Sequence, residues 1–325
     1  MGNIWKFGAA AGMAAMVLAG CGDGAEPVED QDVETPAEPP SEVTESEFPV
    51  TLVDAMGDEV AIEEEPESFV SMLPSNTEIA YELGLGEKLV GVSDFDNYPA
   101  EVADIEKIGG QEFNVEKIIS LQPDLVLAHE SGIGTWADGL QQLRDAGVNV
   151  FVVDNAETFE EVYDTISVIG QASGAVEEAD ALIEEMETQV AEIEELSAGV
   201  EEKKSVFVEV GSDPELYTAG TGTFIDEMLS MIQAENVAGD QQGWANMSQE
   251  AVVAADPEVI ITTEGTYIED AVEKIKERNG YGQVTAVQED AVFEVDPDTL
   301  TRSGPRLTEG LMTMAELIYP ETFGE

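Results

Sequence analysis

Histidine and cysteine are nearly missing from this chain, which holds one of each, His129 and Cys21. A single cysteine forms no internal disulfide, and with one histidine most Ser-His-Asp or Cys-His arrangements have no members to draw on. Sites for bare zinc or manganese want several histidines beside carboxylates, so the same scarcity argues against them. Basic residues are the next deficit, with 12 Lys and Arg against 71 Asp and Glu and a formal charge of −59. A surface of that sign repels nucleic acid and anionic lipid and offers no basic recognition face. It suits a protein working outside the cell in brine or alkali, where counterions screen the repulsion. Nor is there a continuous apolar run of about twenty residues, the length a membrane-spanning helix requires. Gly-x-Ser-x-Gly elbows, His-Glu-x-x-His motifs and phosphate-cradling loops are absent as well, which leaves carboxylate catalysis as the one enzymatic alternative and makes a non-enzyme the expectation.

What is present begins at the N-terminus. Lys6 precedes an apolar stretch from Phe7 to Ala19, and Leu18-Ala19-Gly20-Cys21 closes it with small residues before the cysteine. A short apolar core with a small-residue cleavage site predicts a secretory signal over residues 1–20. The Leu-Ala-Gly-Cys box resembles the bacterial lipobox, which implies lipid on Cys21 and no remaining free thiol. Residues 22–47 hold ten acidic residues and four prolines with no basic or aromatic side chain. That composition is too polar and self-repelling to collapse, so residues 21–47 are expected to form a disordered tether.

From Phe48 onward the pattern is that of a folded α/β protein. Asn114 to Glu130 and Ser248 to Glu264 read alike at a constant offset of 134, each with an N-cap residue, a short amphipathic helix, a proline and an apolar strand. Around them strands are expected at Ser68–Leu73, Leu89–Val92 and Val148–Val153, then at Ser205–Val210 and Ala291–Val295. Pro74–Thr77 reads as a turn before a helix over Glu78–Leu83, and Thr223–Ile232 reads as a second-half helix. Strands alternating with helices predict parallel sheets. Between the halves, Thr158 and Glu161 form a capping-box pattern that opens a helix to about Ile169. Apolar residues from Val176 to Ile193 then recur every three or four positions, predicting a long helix to about Ala198. The expected fold is therefore two similar lobes, 48–157 and 200–325, each with its own core and parallel sheet, joined through 158–199 by a single long α-helix that permits only limited hinge motion.

In their order and spacing, Leu73-Pro74-Ser75-Asn76-Thr77-Glu78, Val90-Gly91-Val92-Ser93, Tyr98-Pro99, the Asn114–Ala128 run and Thr301-Arg302-Ser303-Gly304-Pro305-Arg306 carry a family likeness. The stretch from Val70 to Tyr319 resembles the helical-backbone substrate-binding proteins of ABC importers for cobalamin, ferric siderophores and haem, most of all the cobalamin-binding branch. The resemblance implies a monomer that captures a bulky metal chelate between its lobes, with no cofactor or resident metal, and delivers it to a permease dimer with its ATPase. Docking to that permease is implied for Glu116 and Glu250, which the repeat also pairs. Ligand contacts are implied for Phe95, Tyr217 and Trp244, the aromatic surface a chelate needs, and for Arg302, whose guanidinium suits anionic oxygens. Arg302 is favoured over Arg306 for that contact, since one of the two arginines can instead hold the C-terminal helix expected to begin around Arg306, although both would suit an anionic siderophore. His129, at the end of an apolar strand, is a candidate contact, with axial ligation of cobalt or iron left open. Gly110 and His129 stand where the cobalamin branch can place tryptophan, so corrinoid, siderophore and haem all stay open as ligands. Lipid anchoring outside the cell membrane, as in a Gram-positive cell, completes the expectation.

Overall fold

The computed structural model describes residues 48–212 and 215–324. Cys21, the signal segment and the acidic tether lie outside them. Among the described residues no helix is long and apolar enough to cross a membrane.

The chain opens with an antiparallel hairpin, β1 (Val50–Val53) and β2 (Glu59–Ile62). The first lobe follows: β3 (Phe69–Ser71), α1 (Pro74–Glu82), β4 (Leu89–Gly91), α2 (Val115–Leu121), β5 (Leu125–His129), α3 (Ile133–Asp145) and β6 (Asn149–Val153). Its four strands pair in the order β4-β3-β5-β6, all parallel. Two helices connect onward, α4 (Phe159–Ser173) and α5 (Val176–Ser197). The second lobe contains β7 (Ser205–Gly211), β8 (Tyr217–Ala219), α6 (Phe224–Met231), β9 (Glu235–Asn236), β10 (Trp244–Asn246), α7 (Gln249–Ala255), β11 (Val259–Thr262), α8 (Ala271–Lys276), α9 (Thr285–Gln288) and β12 (Val292–Glu294). It ends with α10 (Pro297–Thr301), α11 (Leu307–Ile318) and α12 (Pro320–Phe323).

The sequence repeat is a structural repeat. Asn114 accepts a hydrogen bond from the Lys117 N–H at one helix start and Ser248 from the Ala251 N–H at the other, each closing an otherwise open first turn. Both helices stop at a left-handed residue 134 positions apart, Gln122 and Asp256. The next strands are then fixed alike: Asp124 accepts from Ser68 Oγ and Glu258 from the Ser205 N–H, tying β5 beside β3 and β11 beside β7. The second sheet departs from the all-parallel expectation in one respect. β7, β9, β11 and β12 are parallel, but β8 runs antiparallel to the C-terminal end of β7, and β10 pairs antiparallel with β8 after α6 and β9. This antiparallel edge extends the lobe at the end where parallel strands leave their sheet.

Alternate residues of each strand serve different cores. Phe69, Leu125, Leu127, Phe151 and Val153 face one cluster, Val70, Val126, Val150 and Val152 another, as the two-residue period of a strand requires. In the second sheet Val206, Val208, Val259 and Ile261 join the first of these clusters, while Phe207, Ile260 and Val292 face a third. Each lobe thus has a core of its own, as expected, and the two also share a central core between them. Helix α4 opens with the expected cap, Thr158 Oγ1 accepting from the Glu161 N–H, and extends past the expected end to Ser173, where Gly174 at φ +81° turns the chain. The buried side of α5, Ala179, Met186, Val190 and Ile193, lies in the shared core beside Leu311, Met314 and Ile318 of α11. At about 1.5 Å per residue, its 22 residues span about 33 Å.

Candidate functional site

The motif Leu73–Glu78 is not a turn followed by a helix, because Pro74 sits in the first turn of α1, where its missing N–H costs nothing. Three polar side chains of that turn, Asn76, Thr77 and Glu78, make defined contacts. Thr77 Oγ1 donates to Ser71 Oγ at 2.8 Å, and Asn76 Nδ2 donates to the Ala128 carbonyl at 3.0 Å, pinning α1 to the end of β5. Glu78 points at the other lobe. It is 2 % exposed, and Arg306 forks onto it, Nε to Oε2 at 3.0 Å and Nη2 to Oε1 at 2.8 Å. Arg302 adds Nη1 to Glu78 Oε1 at 2.6 Å, donates to Asn97 Oδ1 at 2.8 Å and reaches Asp298 at 2.8 Å. The Tyr98 ring lies 4.1 Å from the Arg306 guanidinium carbon. A buried carboxylate is stable only when fully paired, and these cations supply that pairing across the lobe boundary.

Arg302, proposed from sequence as a ligand contact, therefore has its guanidinium committed to Glu78, Asn97 and Asp298. Arg306 is the N-cap residue of α11, as expected, but its charge also serves Glu78. Sequence reading missed Glu78, Asn97 and Asp298 as a group, since Glu78 and Arg306 are 228 positions apart. The scarcity of cations was the available signal: two arginines four residues apart need a nearby anion.

A cavity of about 270 Å³ lies between the lobes. Asn155, Ala156 and Glu157, which follow β6, face Thr223, Phe224 and Trp244 across it. Trp244 on β10 is 54 % exposed. Tyr217 on β8 opposes Asn246, so Tyr217 and Trp244 lie diagonally on one face of the β8–β10 pair, within reach of a shared planar ligand. Phe95 is exposed on the first lobe and lies against Gly110, where an added Cβ would come within 2.9 Å of its ring. The loss of a side chain at Gly110 is thus the condition for that placement of Phe95. Exposed aromatic rings on both lobes are the surface a bulky apolar chelate would need.

His129 is held differently from a free ligand. It is 2 % exposed, its Nδ1 accepts from the Ser131 N–H at 3.2 Å, and Ser131 Oγ lies 2.9 Å away. Burial pulls its pKa down to about 4 despite the opposing charge of Glu130. The ring is neutral at pH 7, with the proton on Nε2 and the Nδ1 lone pair already engaged. Buried Asp96 moves the other way, its carboxyl raised by desolvation against hydrogen bonds from Ser93 and Thr77 and the charge of Lys107.

Glu116 and Glu250 occupy matching places in the first turns of α2 and α7. Both are exposed, and neither has an ion-pair partner within 4.0 Å among the described residues. Among the described residues no cluster of His, Cys, Asp and Glu could hold a metal ion.

A family model described as periplasmic binding protein matches residues 70–299. The chain belongs to that family. Among relatives, the uncharacterized ABC transporter substrate-binding lipoprotein YvrC of Bacillus subtilis (strain 168) is 48 % identical over 325 residues, covering 99 % of this chain and 98 % of its own. The vitamin B12-binding protein of Salmonella typhimurium (strain LT2) is 32 % identical over 187 residues, 57 % of this chain and 68 % of its own. A solved structure of a possible iron-binding, periplasmic solute-binding protein from Staphylococcus epidermidis superposes with TM-score 0.72 at 38 % identity, over 79 % of this chain and 100 % of that one. The periplasmic haem-binding protein RhuT of Roseiflexus sp. RS-1 gives TM-score 0.71 at 26 % identity, over 79 % and 99 %. Both solved structures share the α/β fold described above over 79 % of this chain.

Proposed function

We propose that the chain is the capture component of an ABC importer, binding a bulky metal chelate between its lobes and handing it to a permease dimer driven by its ATPase. The work is binding, with no covalent change to the ligand. Lobes 48–157 and 200–325 close on the chelate, joined by the connector 158–199. Lipid on Cys21 and the tether of residues 21–47 hold the binding part near the permease, outside the membrane of a Gram-positive cell, where no outer membrane would retain a free carrier. Corrinoid and ferric siderophore are the leading ligands, with haem as the second reading on the likeness to a haem-binding protein. Phe95, Tyr217 and Trp244 supply the stacking surface.

The observation that carries the reading is the pairing of Glu116 and Glu250. The same exposed carboxylate stands on the same capped helix of each lobe, as contact with a two-fold permease would require. Dipole stabilisation of a helix start is worth only about 0.3 to 1 kcal/mol and does not call for matched positions. The test couples two measurements on one variant. Glu116→Lys with Glu250→Lys should leave the rise in melting temperature with cyanocobalamin, haemin or ferric siderophores intact, since that rise reports binding to the folded state. The same variant should lose stimulation of the permease ATPase in reconstituted vesicles. Loss of the thermal shift instead would move these glutamates into the pocket and remove the docking role.

A further inference from the structure

Resting on the reading of the chain as a chelate carrier, we propose that the cleft selects by charge: it takes neutral or cationic chelates and turns away polyanionic ones such as haem dicarboxylates and ferric tricatecholates. The ground for this is where the few cations go. In the first lobe, Lys88 pairs with Glu65, Lys107 donates to the carbonyls of Ser93 and Asp96 at 3.2 and 3.1 Å, Lys117 pairs with Glu106, and Arg144 with Asp54. In the second, Arg302 and Arg306 are committed to Glu78, and Arg278 forks onto buried Glu209. Lys276 bridges Glu273 and Asp290.

Three described lysines remain without a carboxylate or carbonyl for their Nζ, and none is placed for the cleft. Lys203 and Lys204 precede β7, at the end of the sheet opposite the one from which the cleft segments leave. Lys274 is exposed on α8, whose buried residue Ile275 packs on the sheet face turned away from the shared core. Among the described residues, the cleft therefore offers an incoming carboxylate or catecholate no guanidinium or ammonium to pair with.

It offers carboxylates of its own instead. Glu157 lines the interlobe cavity, and an adjoining pocket of about 340 Å³, sharing Asn155 and Ala156, carries Glu130, Asp154, Glu161 and Asp164. Burial first and the charge of Glu130 next raise the Asp154 carboxyl above its ordinary value. An anion entering here loses hydration and gains only like-charge neighbours. A neutral macrocycle escapes that cost, and a cationic one is drawn by the carboxylates and by the faces of Trp244 and Tyr217.

Isothermal titration of the intact lipoprotein in detergent tests this with five probes: aquocobalamin held cationic at pH 6.5, neutral cyanocobalamin, cationic ferrioxamine B, haemin and ferric enterobactin. The best neutral or cationic probe should bind about a hundredfold more tightly than either anion at 50 mM salt. The preference should narrow toward 1 M salt, where screening reaches about 3 Å. Asp154→Lys with Glu157→Lys should raise haemin affinity about tenfold. Haemin or ferric enterobactin binding as tightly as the other probes would overturn the charge rule and leave the carrier reading standing. Failure of all five to bind would overturn the carrier reading and this inference with it.

Discussion

Glu78, a buried carboxylate of the first lobe, is held by arginines borrowed from the second, whereas buried Glu209 of the second lobe is held by an arginine of its own lobe. Glu78 on α1 is gripped by Arg302 and Arg306, and Glu209 on β7 by Arg278, with Nη2 to Oε1 at 2.7 Å. Burial raises Glu209, and the guanidinium only partly offsets it. Both charges obey one rule, that an ion removed from water must be paired. The difference lies in what the pair joins. One stabilises a lobe, and the other fastens two lobes together beside α5, so the molecule has two restraints on hinge motion rather than one.

Removing either buried carboxylate sharpens that contrast and gives the largest expected effects. Glu78→Ala and Glu209→Ala should each cost about 3 to 5 kcal/mol in chemical denaturation, because cations are left buried without partners. Only Glu78→Ala should also speed amide exchange in both α1 and the α10–α11 segment. Equal exchange in the two variants would break the distinction between an interlobe and an intralobe pair.

The matched strand ends differ in a second way, since β5 ends at His129 and the equivalent position of the second lobe is Thr263, also buried. A base whose pKa is lowered on folding binds fewer protons in the native state, so stability rises with pH across the window between the two values. His129 should therefore impose no penalty above about pH 6.5 and destabilise the fold progressively toward pH 4, by about 3 kcal/mol in total. His129→Gln should remove this component from the difference between urea midpoints at pH 7 and pH 4.5. An unchanged difference would show that the imidazole is not kept neutral by burial.

Smallest are the caps. Asn114→Ala and Ser248→Ala should each cost about 1 kcal/mol, and by similar amounts if the two repeats are equivalent elements. Markedly unequal losses would show that one tip is anchored by something beyond its cap.

The repeat was legible because its signals are local. A cap side chain, a helix of fixed length, a left-handed stop and a strand lie within 17 residues, and α2 and α7 fall at the offset read from the letters. The connector helices were legible from their period and the Thr158 cap. Short elements were not: the β1–β2 hairpin and the β8–β10 pair contain strands of only three or four residues, too brief for an alternation pattern to stand out. Pro74 was misread because proline both breaks helices and begins them, and only the placement of α1 against β5 selects the second use. The resemblance singles out Trp244 and Tyr217 as ligand contacts, but only the β8–β10 register puts them on one face. His129 was visible as a strand end, while its burial depends on neighbours the strand does not contain.

Taken alone, the sequence determined charge, repeat and the order of most helices and strands, because each is written in composition or in contacts along the chain. Tertiary structure alone decided that a third core joins the two lobes and which cations are already engaged. Arg302 looks like a ligand-binding group in one dimension and is part of a clamp in three, since its partner Glu78 lies 224 residues away and burial, not proximity in sequence, makes the pairing compulsory.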